Sequence, residues 1–275
     1  MGSPIQVVRF FTTISEEILD TLELSVGTLY SGSKGNCTWI ACGGDLVLID
    51  AGRSAKSLCD GLRAVGLDIA RVRAIFITHE HSDHIGALEM LSKKYDIPIH
   101  MAAPSAEKLL PTTVYLQKNI ILHPPLFSER VGGMTVSSFC TPHDSEMSVG
   151  YRIELADGRR IGYATDIGHI TDEISDGLAG AFAVVLESNH DPEMLQNGRY
   201  PLWLKARIAS PRGHLSNTDC AAFLPRLAAG GTAHVLLAHL SAENNRPALA
   251  LRTAQAACPA LHILVAKEGE PTRLL

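Results

Sequence analysis

The chain has 275 residues, 46% hydrophobic and 19% charged, with a formal net charge of −5. That is enough apolar material to bury a core without disulfides or a partner, and the acidic balance excludes a protein that is basic over its whole surface. Six cysteines with no C-x-x-C pair read as core thiols in a reducing, cytoplasmic setting, and no apolar run approaches membrane-spanning length.

Taken in chain order, residues 1–22 form an N-terminal extension without an assignable role, and residues 23–275 read as one domain. Apolar runs predict strands over 24–30, 37–42, 46–50, 74–78 and 97–101, with amphipathic helices over 55–65 and 85–94. A second set of strands follows over 134–140, 149–155 and 160–165, the last two joined by the turn Ala156-Asp157-Gly158. Further strands are expected over 182–187, 235–239 and 262–265. Helices are expected over 217–227, capped by Ser216 or Asn217, and over 247–257, where Pro247 suits a first turn. Periodicity alone supports an α/β or α+β protein.

The densest chemistry lies between the strand at 74–78 and the helix after it, in Thr78-His79-Glu80-His81-Ser82-Asp83-His84. A strand-to-helix turn fixes side-chain directions, so His79 and His81 can converge on one metal ion while Asp83 and His84 turn towards a second. That is the arrangement of a two-metal hydrolase. Other ligand-type residues follow other apolar runs: His143 in Thr141-Pro142-His143-Asp144, Asp166 after Thr165, and His239 after Ala238. Asp50, ending the run Leu46-Val47-Leu48-Ile49, is placed to orient a ligating histidine. Singly, each of these also reads as a turn former or a cap.

Two further segments bear on substrate. The stretch from Arg199 to Arg212 carries Arg199, Lys205, Arg207 and Arg212 with no acid, so Lys205, Arg207 and Arg212 are candidates to grip a phosphate backbone, with Tyr200 or Trp203 to stack on an end base. The alternative is an amphipathic helix whose Leu202, Trp203 and Ile208 fill core. The loop 31–36 can present Ser31, Ser33 and Asn36 to a phosphate, or simply make a tight turn.

The order Asp50, His79-x-His81-x-Asp83-His84, His143, Asp166, His239 resembles the five-motif signature of the metallo-β-lactamase superfamily. Ser31-Gly32-Ser33-Lys34-Gly35-Asn36, Leu186-Glu187-Ser188-Asn189-His190-Asp191, Gly213-His214-Leu215-Ser216-Asn217 and the run from His239 to Asn245 narrow the resemblance to its YycJ/WalJ (VicX) branch. The resemblance implies a four-layer αββα sandwich. It also implies two divalent ions (zinc, manganese or iron), one on His79, His81 and His143, the other on Asp83, His84 and His239, with Asp166 bridging. Asp166 argues against lactam cleavage, because several lactam-cleaving relatives place a cysteine there. Glu187 and His214 resemble the proton-transfer carboxylate and histidine of the tRNA 3′-processing nucleases, and Asp83 is counted with them as a catalytic carboxylate. The activity so implied is 5′-to-3′ exonuclease action on double-stranded DNA ends, with DNA repair as its setting. An RNA-processing nuclease or a small-molecule phosphodiesterase or thioesterase is the alternative.

Overall fold

A computed structural model describes residues 24–275. The expected extension over 1–22 lies outside the described residues. Strands β1 (Leu24–Tyr30), β2 (Cys37–Cys42) and β3 (Asp45–Ile49) form an antiparallel meander. Helix α1 (Ala55–Ala64) crosses to β4 (Val72–Phe76), which lies parallel to β3. After α2 (Ser82–Ile85) and α3 (Leu88–Tyr95), β5 (Ile99–Ala102) extends the parallel run, and β6 (Ile120–His123), reached through α4 (Ala103–Leu109), ends it.

The second sheet reverses that plan. It begins with antiparallel β7 (Ser128–Val131), β8 (Met134–Thr141), β9 (Ser148–Leu155) and β10 (Arg160–Ala164). Helix α5 (Asp172–Leu178) leads to β11 (Ala183–Glu187), parallel to β10. Helices α6 (Pro192–Asn197), α7 (Leu202–Ile208) and α8 (Asn217–Ala229) precede β12 (His234–Ala238), and α9 (Pro247–Ala257) precedes β13 (His262–Val265). The short β14 (Thr272–Arg273) returns to the first sheet beside β1. The two seven-stranded orders are β14-β1-β2-β3-β4-β5-β6 and β13-β12-β11-β10-β9-β8-β7.

Strand alternation sorts the apolar side chains into three layers. Val47 and Ile49 point between the sheets to meet Val149, Tyr151, Ile153 and Val185. Their neighbours Leu46 and Leu48 point outwards beneath Leu58, Leu62, Leu88 and Leu91. On the far side Val184, Leu186, Val235 and Leu237 lie beneath Ile174, Leu178, Leu224 and Leu227. Strands covered on both faces need apolar residues at every position, which is why they read as unbroken runs, and each fully buried Leu, Ile or Val stabilises the sandwich by roughly 1.5–3 kcal/mol.

The expected αββα layering is therefore present. The predicted helix over 85–94 is instead two pieces, α2 and α3, because the chain there is held by the loop after β3. Ala51 N donates to His84 O (2.7 Å), Asn36 N to Asp83 O (2.8 Å) and Ala87 N to Ala51 O (2.8 Å). Gly52 permits this approach, since a Cβ there would fall 1.5 Å from the Asp83 carbonyl oxygen. Strand β4 begins two residues earlier than expected, where Val72 already pairs with Leu46, and ends two earlier, because the Thr78 N–H donates to the Asp50 carboxylate (2.9 Å) and not to a neighbouring strand. Ser216 caps α8 as expected, accepting from Asp219 N.

Candidate metal centre

Parallel strands present their C-terminal ends on one side, and both sheets do so here. The ends of β3, β4, β8, β10, β11 and β12 deliver Asp50, the run His79 to His84, His143, Asp166, Glu187 and His239 to one place. The backbone bends sharply to do this. Asp50, Asp166 and His239 adopt left-handed φ values of 63°, 56° and 56°. Such a conformation is costly for a residue with a Cβ, and clusters of it accompany functional sites.

His79, His81 and His143 bring their rings to 4.5–5.1 Å of one another. Opposite them, His84 Nε2 lies 3.3 Å from both Asp83 Oδ2 and Asp166 Oδ2, and His239 Nε2 lies 3.7 Å from Asp83 Oδ2. Asp166 lies between the two groups, with Oδ1 3.9 Å from His143 Nε2 and 3.4 Å from His239 Nδ1. His79–His81–His143, His79–His84–Asp166 and Asp83–His84–His239 are each close enough to hold a metal ion.

Four of the imidazoles are locked by their Nδ1 atoms. His84 Nδ1 donates to Asp50 Oδ2 (2.8 Å), His143 Nδ1 to the Gly213 carbonyl (3.2 Å) and His239 Nδ1 to Glu187 Oε1 (3.0 Å). The Thr78 hydroxyl spends its proton on Asp50, so it accepts from His79 Nδ1 (2.9 Å). Each Nε2 is thereby turned to the centre, as metal-ligating histidines require. His79 Nε2, His239 Nε2 and Asp166 Oδ2 are buried without a hydrogen-bond partner. Three such orphans in one place are costly unless a cation satisfies them, so the donor set fits divalent ions.

The electrostatics are two-sided. Burial, reinforced by His84, His143 and His81, pushes the His79 imidazole well below its usual range. Burial also pushes His84 and His239 down, but carboxylates outweigh it: Asp50 and Asp166 for His84, and Asp166, Asp83 and Glu187 for His239, both of which stand well above the usual range. The second group thus demands positive charge, and a divalent ion meets that demand by taking the proton's place.

Glu187 and His214 sit beside this cluster. Glu187, fully buried, accepts from His214 Nδ1 (2.8 Å) and His239 Nδ1 through Oε1, and from Ile167 N (2.8 Å) and Leu215 N (3.2 Å) through Oε2. Burial would raise its pKa, but His214 and His239 outweigh that and hold the carboxyl well below its usual range. His214 is pushed down by burial and pulled up more strongly by Glu187, so its net direction is up. It faces a cleft of about 180 Å³ shared with Ser33, Asp144, Tyr200, Arg207 and His239.

The expected substrate-binding residues divide. Ser33 and Arg207 line that cleft. Ser31 and Asn36 turn inwards: the Ser31 hydroxyl accepts from His239 N (2.7 Å), and Asn36 Nδ2 contacts Asp83 Oδ2 (3.1 Å) and His84 Nε2 (3.2 Å). Among the cations, Arg207 pairs with Asp144, Lys205 Nζ donates to the Gln196 carbonyl (2.7 Å), and Arg212 donates to the His143 (2.8 Å) and Ser145 (3.1 Å) carbonyls. The middle of the strip is helix α7, yet its Leu202 and Trp203 are 83% and 68% exposed and fill no core.

Residues 46–240 match the Beta-lactamase superfamily domain. The chain is 37% identical over 232 residues to exodeoxyribonuclease YycJ of Bacillus anthracis, covering 82% of this chain and 86% of that one. The chain belongs to the β-lactamase superfamily, in its YycJ/WalJ branch. Exodeoxyribonuclease WalJ of Streptococcus pneumoniae is 34% identical over 82% of this chain and 84% of its own. Among solved structures, the metallo-β-lactamase fold protein YhfI of Bacillus subtilis aligns over 91% of this chain and 98% of its own with a TM-score of 0.69 and 17% identity, a likeness of fold.

The segments that carry the branch resemblance interlock behind the cluster. Asn245 Nδ2 donates to the Ser188 and Asn189 carbonyls and to Asn217 Oδ1, the Ser188 hydroxyl donates to Asn217 Oδ1, and Asn189 Nδ2 donates to the His239 carbonyl. These amides hold the loops bearing His214 and His239. Sequence reasoning gave Asn189 and Asn245 no individual role and read Asn217 only as a candidate helix cap, and it also passed over Arg212 as a brace for the His143 loop. Glu80 braces the same loop, accepting from Glu146 N (3.0 Å) and Ser105 Oγ (2.6 Å). Its place inside the His-rich run was the available signal.

Proposed function

We propose that this chain is a two-metal phosphodiesterase that degrades double-stranded DNA from 5′ ends, with zinc, manganese or iron as its ions. The observation that carries the chemistry is the convergence of His79 Nε2, Asp166 Oδ2 and His239 Nε2, all buried and unsatisfied, among carboxylates. The choice of DNA rests on the relatives named exodeoxyribonuclease. His79, His81 and His143 would hold one ion, Asp83, His84 and His239 the other, with Asp166 common to both. Such ions, when bound, would acidify a water and offset the charge that builds on the phosphodiester.

The protein's own groups do the rest. Glu187 fixes the His214 ring through Nδ1 and favours its protonated form, so His214 can release a proton to the departing 3′-oxygen. Asp50 and Thr78 keep the ligand rings from turning. Tyr200 on the cleft wall and exposed Trp203 on α7 offer a face for an end base, and Arg207 offers charge. The six free cysteines favour a cytoplasmic setting, where DNA repair takes place, and no helix among the described residues is long and apolar enough to cross a membrane.

The test is digestion of end-labelled single- and double-stranded DNA and RNA, with 5′-phosphate and 5′-hydroxyl ends, under zinc, manganese and iron(II) in turn. Mononucleotides released from the 5′ end of the duplex are the expected product. Turnover of RNA or of a thioester without turnover of DNA would overturn the reading.

A further inference from the structure

Away from this centre, His100 on β5, His123 at the end of β6 and Glu129 on β7 bring three ligand-type side chains together. His100 and His123 are 5% and 8% exposed. Their rings are nearly parallel, 13° apart, with His100 Nδ1 and His123 Nε2 separated by 2.9 Å. Phe76 stacks on His100 and Phe127 on His123, at centroid distances of 4.6 and 4.0 Å, so neither ring is free to turn away. Each of the three residues offers a ligand atom within 4.8 Å of the other two.

The placement is unusual for a simple hydrogen-bonded pair. Strand β6 is the edge of the first sheet and β7 the edge of the second. The two histidines thus come from one sheet and the carboxylate from the other. We propose that His100, His123 and Glu129 form a further metal site, independent of the centre above, which takes one zinc-like divalent ion and ties the adjoining sheet edges together. Two imidazoles and a carboxylate are a common zinc donor set, leaving a fourth position for water. Around a tetrahedral ion at about 2.0–2.1 Å the nitrogens would stand roughly 3.3 Å apart, about 0.4 Å wider than the hydrogen-bonded pair, so the ion would replace the shared proton while each ring swings within its own plane, a movement that keeps the phenyl stacking. His100 borders an open surface cleft with Pro98, Ile121 and Gly132.

Chelator-stripped protein refilled with zinc tests this by elemental analysis and melting temperature. Wild type is expected to hold three equivalents, His123→Gln and Glu129→Gln two, with hydrolysis of a small phosphodiester unchanged. Asp166→Ala should keep one equivalent and a zinc-dependent rise in Tm, and adding His123→Gln should abolish both. Two equivalents in wild type, with none lost in either single variant, would overturn the site and leave the two-metal centre standing. One equivalent in wild type that His123→Gln removes would support this site and overturn the two-metal centre instead. Glu129 lies on a partly exposed edge strand, so Glu129→Gln keeps the test open if His123→Gln fails to fold.

Discussion

The metal cradle and helix α7 border the same cleft but are built on opposite terms. In the cradle Asp50, His79, His84, His143, Asp166, Glu187 and His239 are all buried, and four ligand rings are clamped from behind before any ion arrives. Three of its residues hold left-handed backbone, and buried His79 Nε2, His239 Nε2 and Asp166 Oδ2 lack hydrogen-bond partners, a cost that a bound cation would offset. Helix α7 has seven residues, no side-chain cap at Pro201, and its largest apolar side chains in water. On the proposed function, preorganisation is concentrated where bond breaking would occur, and α7 would be the surface that the substrate completes.

The sharpest way to break that contrast is through Asp166, which lies between the two ligand groups. Asp166→Ala should lose both cradle ions in elemental analysis, with activity down on the order of 10³-fold or more as charge stabilisation disappears. Asp50→Asn should weaken binding less, about 10–100-fold, since it would act on the ions only indirectly, through His84 and, by way of Thr78, through His79. Full retention of both cradle ions in Asp166→Ala would refute the bridging role.

His214 comes next, because it belongs to the clamped side yet opens on the cleft. His214→Ala should keep its metals but lose roughly 10²- to 10⁴-fold in turnover on DNA, the usual scale for a general acid. On bis-p-nitrophenyl phosphate the loss should be much smaller, since p-nitrophenolate leaves without a proton. Equal losses on both substrates would point to phosphate positioning.

Much of the cradle was legible in the sequence because its residues follow apolar runs, and a run buried on both faces is hard to mistake. The ends of β10 and β12 place Asp166 and His239 where the residues alone suggested, whereas Glu187 at the end of β11 entered as a site residue only through the family resemblance. What was not legible depends on contacts between distant loops. Ser31 reaches His239 across 208 residues and Asn36 reaches His84 across 48, so two residues of a loop that reads as a phosphate grip are tied to the protein, while Ser33 stays on the cleft wall. Strands β6 and β7 escaped notice because they are four-residue sheet edges: β6 offers only the short apolar run Ile120-Ile121-Leu122, with Ile121 and Leu122 exposed, and β7 alternates exposed and partly buried positions with no apolar run.

Arg212 shows the same limit in one residue. It reads as a cation for DNA, yet both its side-chain bonds go to carbonyls of the His143 loop. Arg212→Ala should therefore weaken metal binding, about 10–100-fold by analogy with other groups that hold ligands in place, and should slow the small phosphodiester and DNA alike. A loss confined to DNA, with its salt dependence flattened, would return Arg212 to the substrate.

The smallest effect is expected at Trp203, where the contrast is cleanest. Its side chain is 68% exposed, so Trp203→Ala removes little packing and Tm should not move. If the indole receives an end base, KM for DNA should rise roughly 5- to 150-fold, the range that about 1–3 kcal/mol per stacked base gives. Hydrolysis of bis-p-nitrophenyl phosphate should stay as it was, because that substrate needs the cradle and not the platform. Trp203→Phe should recover most of the loss, since stacking asks for an aromatic face and not for the indole N–H. A fall in kcat on both substrates would mean that α7 shapes the cradle, for it also carries Arg207, whose partner Asp144 follows His143 directly. No change on either would leave Tyr200 to receive the base alone.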